Sequence, residues 1–163
     1  CESAYEKLKD LTCVPSLADV SIGQFEQYKH LLTEEEQQRV RHVVTENERT
    51  KKAAEILKAG DLEAFGKLME GSHLSLRDDY EVTGVELDTL VEAAWKHEGT
   101  VGARMTGAGF GGCTVNIVKD DSIDSFIAQV GQEYKEKIGY EATFYIAKIG
   151  DGPKEIIAEE STI

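Results

Sequence analysis

Apolar residues over positions 1–99 recur at the three- and four-residue spacing of amphipathic helices, whereas those over 101–117 alternate, and this change of period divides the chain. The opening residues carry Tyr5, Leu8 and Leu11 on one helical face. Thr33-Glu34-Glu35-Glu36 has the form of a capping box, with Thr33 capping and Glu36 reaching back. The long helix it opens sets Val40, Val43, Val44, Asn47, Ala54 and Leu57 on one face, and Gly60 ends it. Asp61 caps the next helix, with Leu62, Phe65, Met69 and Leu76 inward. Thr83-Gly84-Val85-Glu86 reads as a second capping box, opening a helix that presents Leu87, Leu90, Val91 and Ala94 and stops at Gly99.

The alternation of Val101, Ala103 and Met105, and then of Cys113, Val115 and Ile117, predicts two strands around a glycine-rich loop. Asp121 or Ser122 caps a helix with Ile123, Phe126, Ile127, Val130 and Tyr134 inward, and a third strand is expected from Ala142 to Ile149. A helical block followed by β-loop-β-α-β gives an α+β two-layer sandwich, a small, mostly antiparallel sheet packed by helices. No internal repeat, linker or low-complexity tract divides residues 1–163, so a single domain is expected. Three strands leave an outer edge exposed and open to self-association.

The composition is that of a globular chain, 40% hydrophobic and 30% charged over 163 residues, with a net charge of -13. That charge argues against nucleic acid and against an anionic membrane as partners. It leaves room for a small phosphorylated ligand, because a local nest of N–H groups offsets a distant acidic surface. Cys1, Cys13 and Cys113 form no even framework, there is no C-x-x-C, and no histidine stands at ligand spacing. The expectation is a reducing, cytoplasmic setting and no structural metal.

The candidate chemistry lies between the two strands. Gly107, Gly109, Gly111 and Gly112 put four glycines within six residues, more than a two-residue hairpin turn requires. Glycine reaches positive φ and lets a ligand approach the main chain. The spacing G-x-G-x-x-G at Gly107, Gly109 and Gly112 is not a dinucleotide fingerprint, because a strand follows it where that fold needs a helix. Nor is it a protein-kinase loop: Leu76-Arg77-Asp78-Asp79 lacks the His and Asn of a catalytic loop, and D-F-G is absent. Arg104, beside the loop, stands open between a phosphate contact and an ion pair with one of 31 acidic residues.

The remaining polar residues read as structure. His73, Arg77, Asp78 and Asp79 read as caps and ion pairs at a helix end, and Tyr80 as packing. Asn47 reads as a satisfied amide or a contact to a loop, Glu34-Glu35-Glu36 as a helix start, and Cys113 as a small buried hydrophobe.

Gly102 to Gly112 resembles the third signature motif of the GHMP small-molecule kinases. His42-Val43-Val44-Thr45-Glu46-Asn47-Glu48-Arg49-Thr50 resembles a helix segment of the galactokinase branch. So does Ser72 through Thr83, followed by Glu86-Leu87-Asp88, and the closing Ala142-Thr143-Phe144-Tyr145 and Asp151-Gly152 are similar to that family's end. The resemblance implies the ferredoxin-like C-terminal domain of such a kinase. It implies ATP and Mg²⁺ as cofactors of the full-length enzyme and galactose as substrate, phosphorylated on its 1-hydroxyl. Thr106, Gly107, Ala108, Gly109, Gly111 and Gly112 are then the loop lining the active site.

The family's sugar motif, its Gly/Ser-rich phosphate loop with the magnesium ligands, and its catalytic aspartate have no match here, so no catalytic residue and no metal ligand are assigned to this chain. Cys1-Glu2 corresponds to a point just after the first strand of the family's C-terminal half. The resemblance thus implies a chain that lacks its N-terminal partner domain and one sheet strand, that binds no cofactor and that is inactive alone. A sugar sensor acting through a regulatory protein, or a kinase for mevalonate or homoserine, are the rival readings; Ser72 to Asp88 argues against the latter.

Overall fold

The computed structural model describes residues 1–148 and 150. Among these residues six α-helices and one β-hairpin follow one another: α1 Glu2–Thr12, α2 Ile22–Tyr28, α3 Glu34–Ala59, α4 Leu62–Asp78, α5 Val85–Lys96, β1 Thr100–Thr106, β2 Cys113–Val118 and α6 Ile123–Ile138. This is the expected α+β class.

Local chemistry explains most boundaries. At Thr33 both halves of the capping box form: Glu36 N–H donates to Thr33 Oγ1, and Thr33 N–H donates to Glu36. Gly60, at φ 74°, closes α3 in the left-handed conformation. Asp61 Oδ1 accepts from Ala64 N–H and starts α4. Helix α2, unmarked by the apolar pattern, is opened by another capping box, Ser21 with Gln24.

Other boundaries and faces need correction. The expected box at Thr83 does not form. Thr83 is buried and Gly84, at φ 99°, is the N-cap of α5 with no side-chain bond. Helix α5 ends at Lys96, three residues before the expected stop at Gly99, and His97 caps it. Neither Asp121 nor Ser122 gives α6 a side-chain cap; a short 3₁₀ turn, Asp120–Ser122, leads into it. Leu11, Leu57 and Leu62, placed inward by spacing, are about half exposed, because the buried face of α1 runs through Ala4, Leu8 and Thr12 and the end of α3 projects beyond its neighbours.

Among the described residues the third strand does not form: residues 142–148 are irregular, and β1 and β2 make a two-stranded sheet. A strand exists only where a neighbour takes its main-chain hydrogen bonds, and Ala142 and Phe144 lie against α6 instead. There Phe144 meets Gly131 and stacks edge-on against Phe126 at 6.4 Å. Ile149 and the Asp151-Gly152 resemblance fall outside the described residues.

The core has three parts. Ala4, Leu8, Val20, Phe25, Leu32, Val40 and Val44 knit α1, α2 and α3 together. Val91, Ala94, Ala103, Phe126 and Val130 seat one hairpin face on α5 and α6. Leu76, Leu87 and Met105 link α4, α5 and β1 beneath the loop.

Helix α4 runs along the outer edge of β1. Gly66 and Gly102 allow the approach: a Cβ on Gly66 would stand 1.8 Å from Val101 O, and one on Gly102 would stand 2.7 Å from Gly66 Cα. Side chains satisfy the edge. The Trp95 indole N–H donates to Ala103 O at 3.1 Å, and Met105 N–H donates to His73 Nδ1 at 3.2 Å.

Candidate functional site

The register Arg104↔Val115, Met105↔Thr114, Thr106↔Cys113 delivers six residues, 107–112, as the hairpin connection. Gly107, Gly109, Phe110 and Gly111 all have positive φ, at 81°, 87°, 55° and 89°. Positive φ accounts for three of the four glycines, and with Phe110 these residues make a curved main chain rather than a flat turn.

The loop is held from one side. Phe110 N–H donates to Val82 O at 2.9 Å, and a Cβ on Gly109 would fall 1.8 Å from that same oxygen. Val82 belongs to the connection between α4 and α5, fixed in turn by Val82 N–H on Leu76 O and by Glu81 at φ 58°. Gly109 is therefore required twice, by its dihedral and by close approach. Gly107 and Gly111 have open space where a side chain would stand, so the dihedral alone demands glycine there.

Thr106, Gly107, Ala108, Gly111 and Gly112 are exposed. Among the described residues, the Phe110 bond is the one main-chain hydrogen bond made by 107–112 outside the strand ladder. The arrangement can offer N–H groups to an anion. The Phe110 side chain is 77% exposed at the tip.

Arg104 lies on the hairpin face turned toward α3 and α4. Its Nε donates to Met105 O at 2.9 Å and its Nη1 stands 3.3 Å from Glu46 Oε1. Glu46 also accepts from Ser72 Oγ at 2.5 Å and Arg49 Nε at 2.8 Å. Burial works against the charged Glu46 carboxylate, but Ser72, Arg49 and Arg104 outweigh it and hold its pKa below the ordinary range. This network closes one end of a cleft of about 280 Å³ whose floor includes Phe65, Leu68, Met69, Val115 and Ile117, with Thr106 at its rim.

The other singled-out residues separate. His73 is fully buried. Arg77 pairs with Asp78, and Asp79 takes Arg41 at 3.1 Å. Tyr80 stacks on His42 at 4.6 Å, a packing role, and Asn47 donates to Ala18 O in the loop between α1 and α2. Cys113 is exposed, against expectation, because it stands at the loop mouth on the strand whose outer edge no described residue covers. Sequence reasoning passed over Val82, which grips the loop. It also missed the burial of His73, although the 69–73–76 spacing with Met69 and Leu76 puts it on the inward face of α4.

Among the described residues no group of three or more His, Cys, Asp or Glu side chains converges on a metal-sized point. No described helix is long and apolar enough to cross a membrane.

The family model described as GHMP kinases C terminal matches residues 53–136, a span that contains α4, α5, the hairpin and its loop. The chain belongs to the GHMP kinase C-terminal family. Similar relatives are a galactokinase of Fusobacterium nucleatum subsp. nucleatum, 59% identical over 96% of this chain and 41% of that protein, and a galactokinase of Clostridium beijerinckii, 54% identical over 96% of this chain and 40% of that protein. The crystal structure of Lactococcus lactis galactokinase complexed with galactose matches this GHMP domain with a TM-score of 0.90 and 46% identity, over 95% of this chain and 40% of that one. The chain thus spans about 40% of the length of the relatives it matches.

Proposed function

We propose that this domain serves galactose phosphorylation as the C-terminal part of a galactokinase, with ATP as phosphoryl donor and Mg²⁺ as its companion ion. The observation that carries the reading is the 46% identity at TM-score 0.90 to the crystal structure of a galactokinase complexed with galactose. The main-chain loop supports it.

ATP would supply the γ-phosphoryl group and Mg²⁺ would screen its charge. The chain's own part is positioning and charge stabilisation, which dominate phosphoryl transfer. Thr106, Gly107, Ala108, Gly109, Gly111 and Gly112 border the transferring group, the loop residues after Thr106 through N–H dipoles, and Val82 keeps those dipoles in place before substrate arrives. Arg104 acts one step back: its bond to Met105 O and its pair with Glu46 fix the strand that leads into the loop. Sugar and nucleotide contacts come from the rest of a full-length polypeptide, so this chain alone turns over no ATP. Three free, exposed thiols suit a cytoplasmic setting. The open edge of β2 is where a neighbouring strand or a second copy would pair.

The test is galactose-dependent ADP release by the full-length protein carrying this domain, with and without Gly109→Val. Wild type turns over galactose, and the variant loses about 100-fold in kcat, the scale of removing preorganised N–H donors. Turnover of mevalonate or homoserine instead, or galactose binding without turnover, overturns the reading.

A further inference from the structure

His73 is a buried ionisable group, bonded to the strand that leads into the loop, that the proposed reaction leaves unused. It is wholly buried on α4. Its Nδ1 accepts from Met105 N–H at 3.2 Å, which puts the ring proton on Nε2. Nε2 faces Asp88 Oδ1 of α5 at 3.1 Å in a bent approach, and neither atom has another partner among the described residues. The edge of Trp95 packs on the ring at 5.5 Å.

Met105 N–H is the last amide of β1 to point away from β2 before the strand enters the loop. A serine or asparagine could satisfy one strand amide; a buried imidazole backed by a carboxylate is a far costlier way to do so. Its distinctive property is that acceptance depends on protonation. Neutral imidazole has a lone pair at Nδ1, whereas imidazolium presents N–H to N–H and the bond is lost.

Resting on the galactokinase reading, we infer that His73, oriented by Asp88, is a positioning residue that sets where β1 delivers the loop amides, and that it does so only as the neutral imidazole. Asp88 and Glu92 face the ring from α5 and Arg77 from α4. From β1 the ring meets main chain. Burial depresses the imidazole pKa first, and Asp88 opposes it. The neutral form is thereby kept at ordinary pH.

The experiment uses the full-length protein carrying this domain. His73→Asn places an oxygen near the Nδ1 position and keeps an acceptor for Met105; His73→Phe keeps a ring and removes it. His73→Phe should lower kcat about tenfold with KM for galactose unchanged, the mark of misplacement rather than lost binding. His73→Asn should stay within about twofold of wild type and should lack the acid-side fall in kcat that His73 protonation gives the wild type. Hydrogen exchange at the Met105 amide gives a readout free of catalysis: slow in wild type and His73→Asn, fast in His73→Phe. That readout decides even for a protein that does not phosphorylate galactose, so failure of the substrate reading and failure of this inference are separable. Wild-type kcat and slow Met105 exchange in folded His73→Phe overturn the inference, as does an acid-side fall that survives in His73→Asn. Should His73→Phe not fold, the pH profile of His73→Asn still decides between the two outcomes.

Discussion

The two edges of the hairpin are treated in opposite ways. Along β1, Gly66 lets α4 approach to backbone contact, Trp95 takes the Ala103 carbonyl and His73 takes the Met105 amide, so the polar groups that a sheet edge normally exposes are spoken for. Along β2, Thr114 and Asn116 share the register of Met105 and Ala103, so their main-chain groups point away from β1. No described residue takes them. Among the described residues one edge is finished and the other is open as a template for a strand. The finished edge is the one that leads through Met105 and Thr106 into the glycine loop, so rigidity is concentrated where geometry matters to the proposed chemistry.

The hardest blow to the finished edge is Gly66→Val. A Cβ 1.8 Å from Val101 O cannot be absorbed by rotamer change, so α4 must lift from β1. A loss of about 3 kcal/mol is expected in urea unfolding of this chain, and a loss below about 1 kcal/mol would mean that α4 and β1 are not in contact. Trp95→Phe is gentler. It keeps the ring in place but orphans Ala103 O, costing about 1–2 kcal/mol by the same measurement.

Acid should weaken the finished edge before the rest. Burial, the main cause for both, holds the pKa values of His73 and His42 below the ordinary histidine value of 6.5. The unfolded chain therefore takes up protons near pH 6.5 while the folded one resists them, and stability, full above that pH, falls as pH drops below it. The carboxylates act lower. Glu36, held at about 2 chiefly by Lys7 and then by the Thr33 amide, and Glu46 contribute above their ordinary 4.5 and lose that contribution only below it. A urea midpoint that falls between pH 7.5 and 5.5, and falls less in His73→Asn, is the expected result. The smallest effect belongs to the other edge. Thr114→Pro removes an outward N–H that nothing described uses, so stability should move by less than about 1 kcal/mol, while any concentration-dependent self-association seen by ultracentrifugation should weaken.

Local rules make much of the fold legible in the sequence. Thr33 with Glu36, Asp61 and Gly60 act through bonds to residues a few positions away, and each mark is therefore written in the chain itself. The loop is legible for the same reason, since positive φ at Gly107, Gly109 and Gly111 is a property of the residue. What sequence could not carry depends on partners distant along the chain. Residues 142–148 have strand composition, yet Phe144 packs on α6 and no described strand pairs with them. Thr83 has the type of a cap but is buried by tertiary packing. Cys113 has the type of a core residue but stands exposed on a strand whose outer edge no described residue covers. Val82 contributes a carbonyl oxygen, which every residue owns, so no side-chain pattern could have marked it as the loop's anchor.

The chain has a single tryptophan, and it stands where the finished edge is secured. Ultraviolet emission excited at the indole thus has one source, poised between a carbonyl it holds and an imidazole it touches. Any event that frees that indole N–H to water, whether loosening of the helix beside it or a tug on the hairpin, will shift the colour of the light. The domain carries its own optical gauge of how firmly the hairpin is seated, with no label to attach.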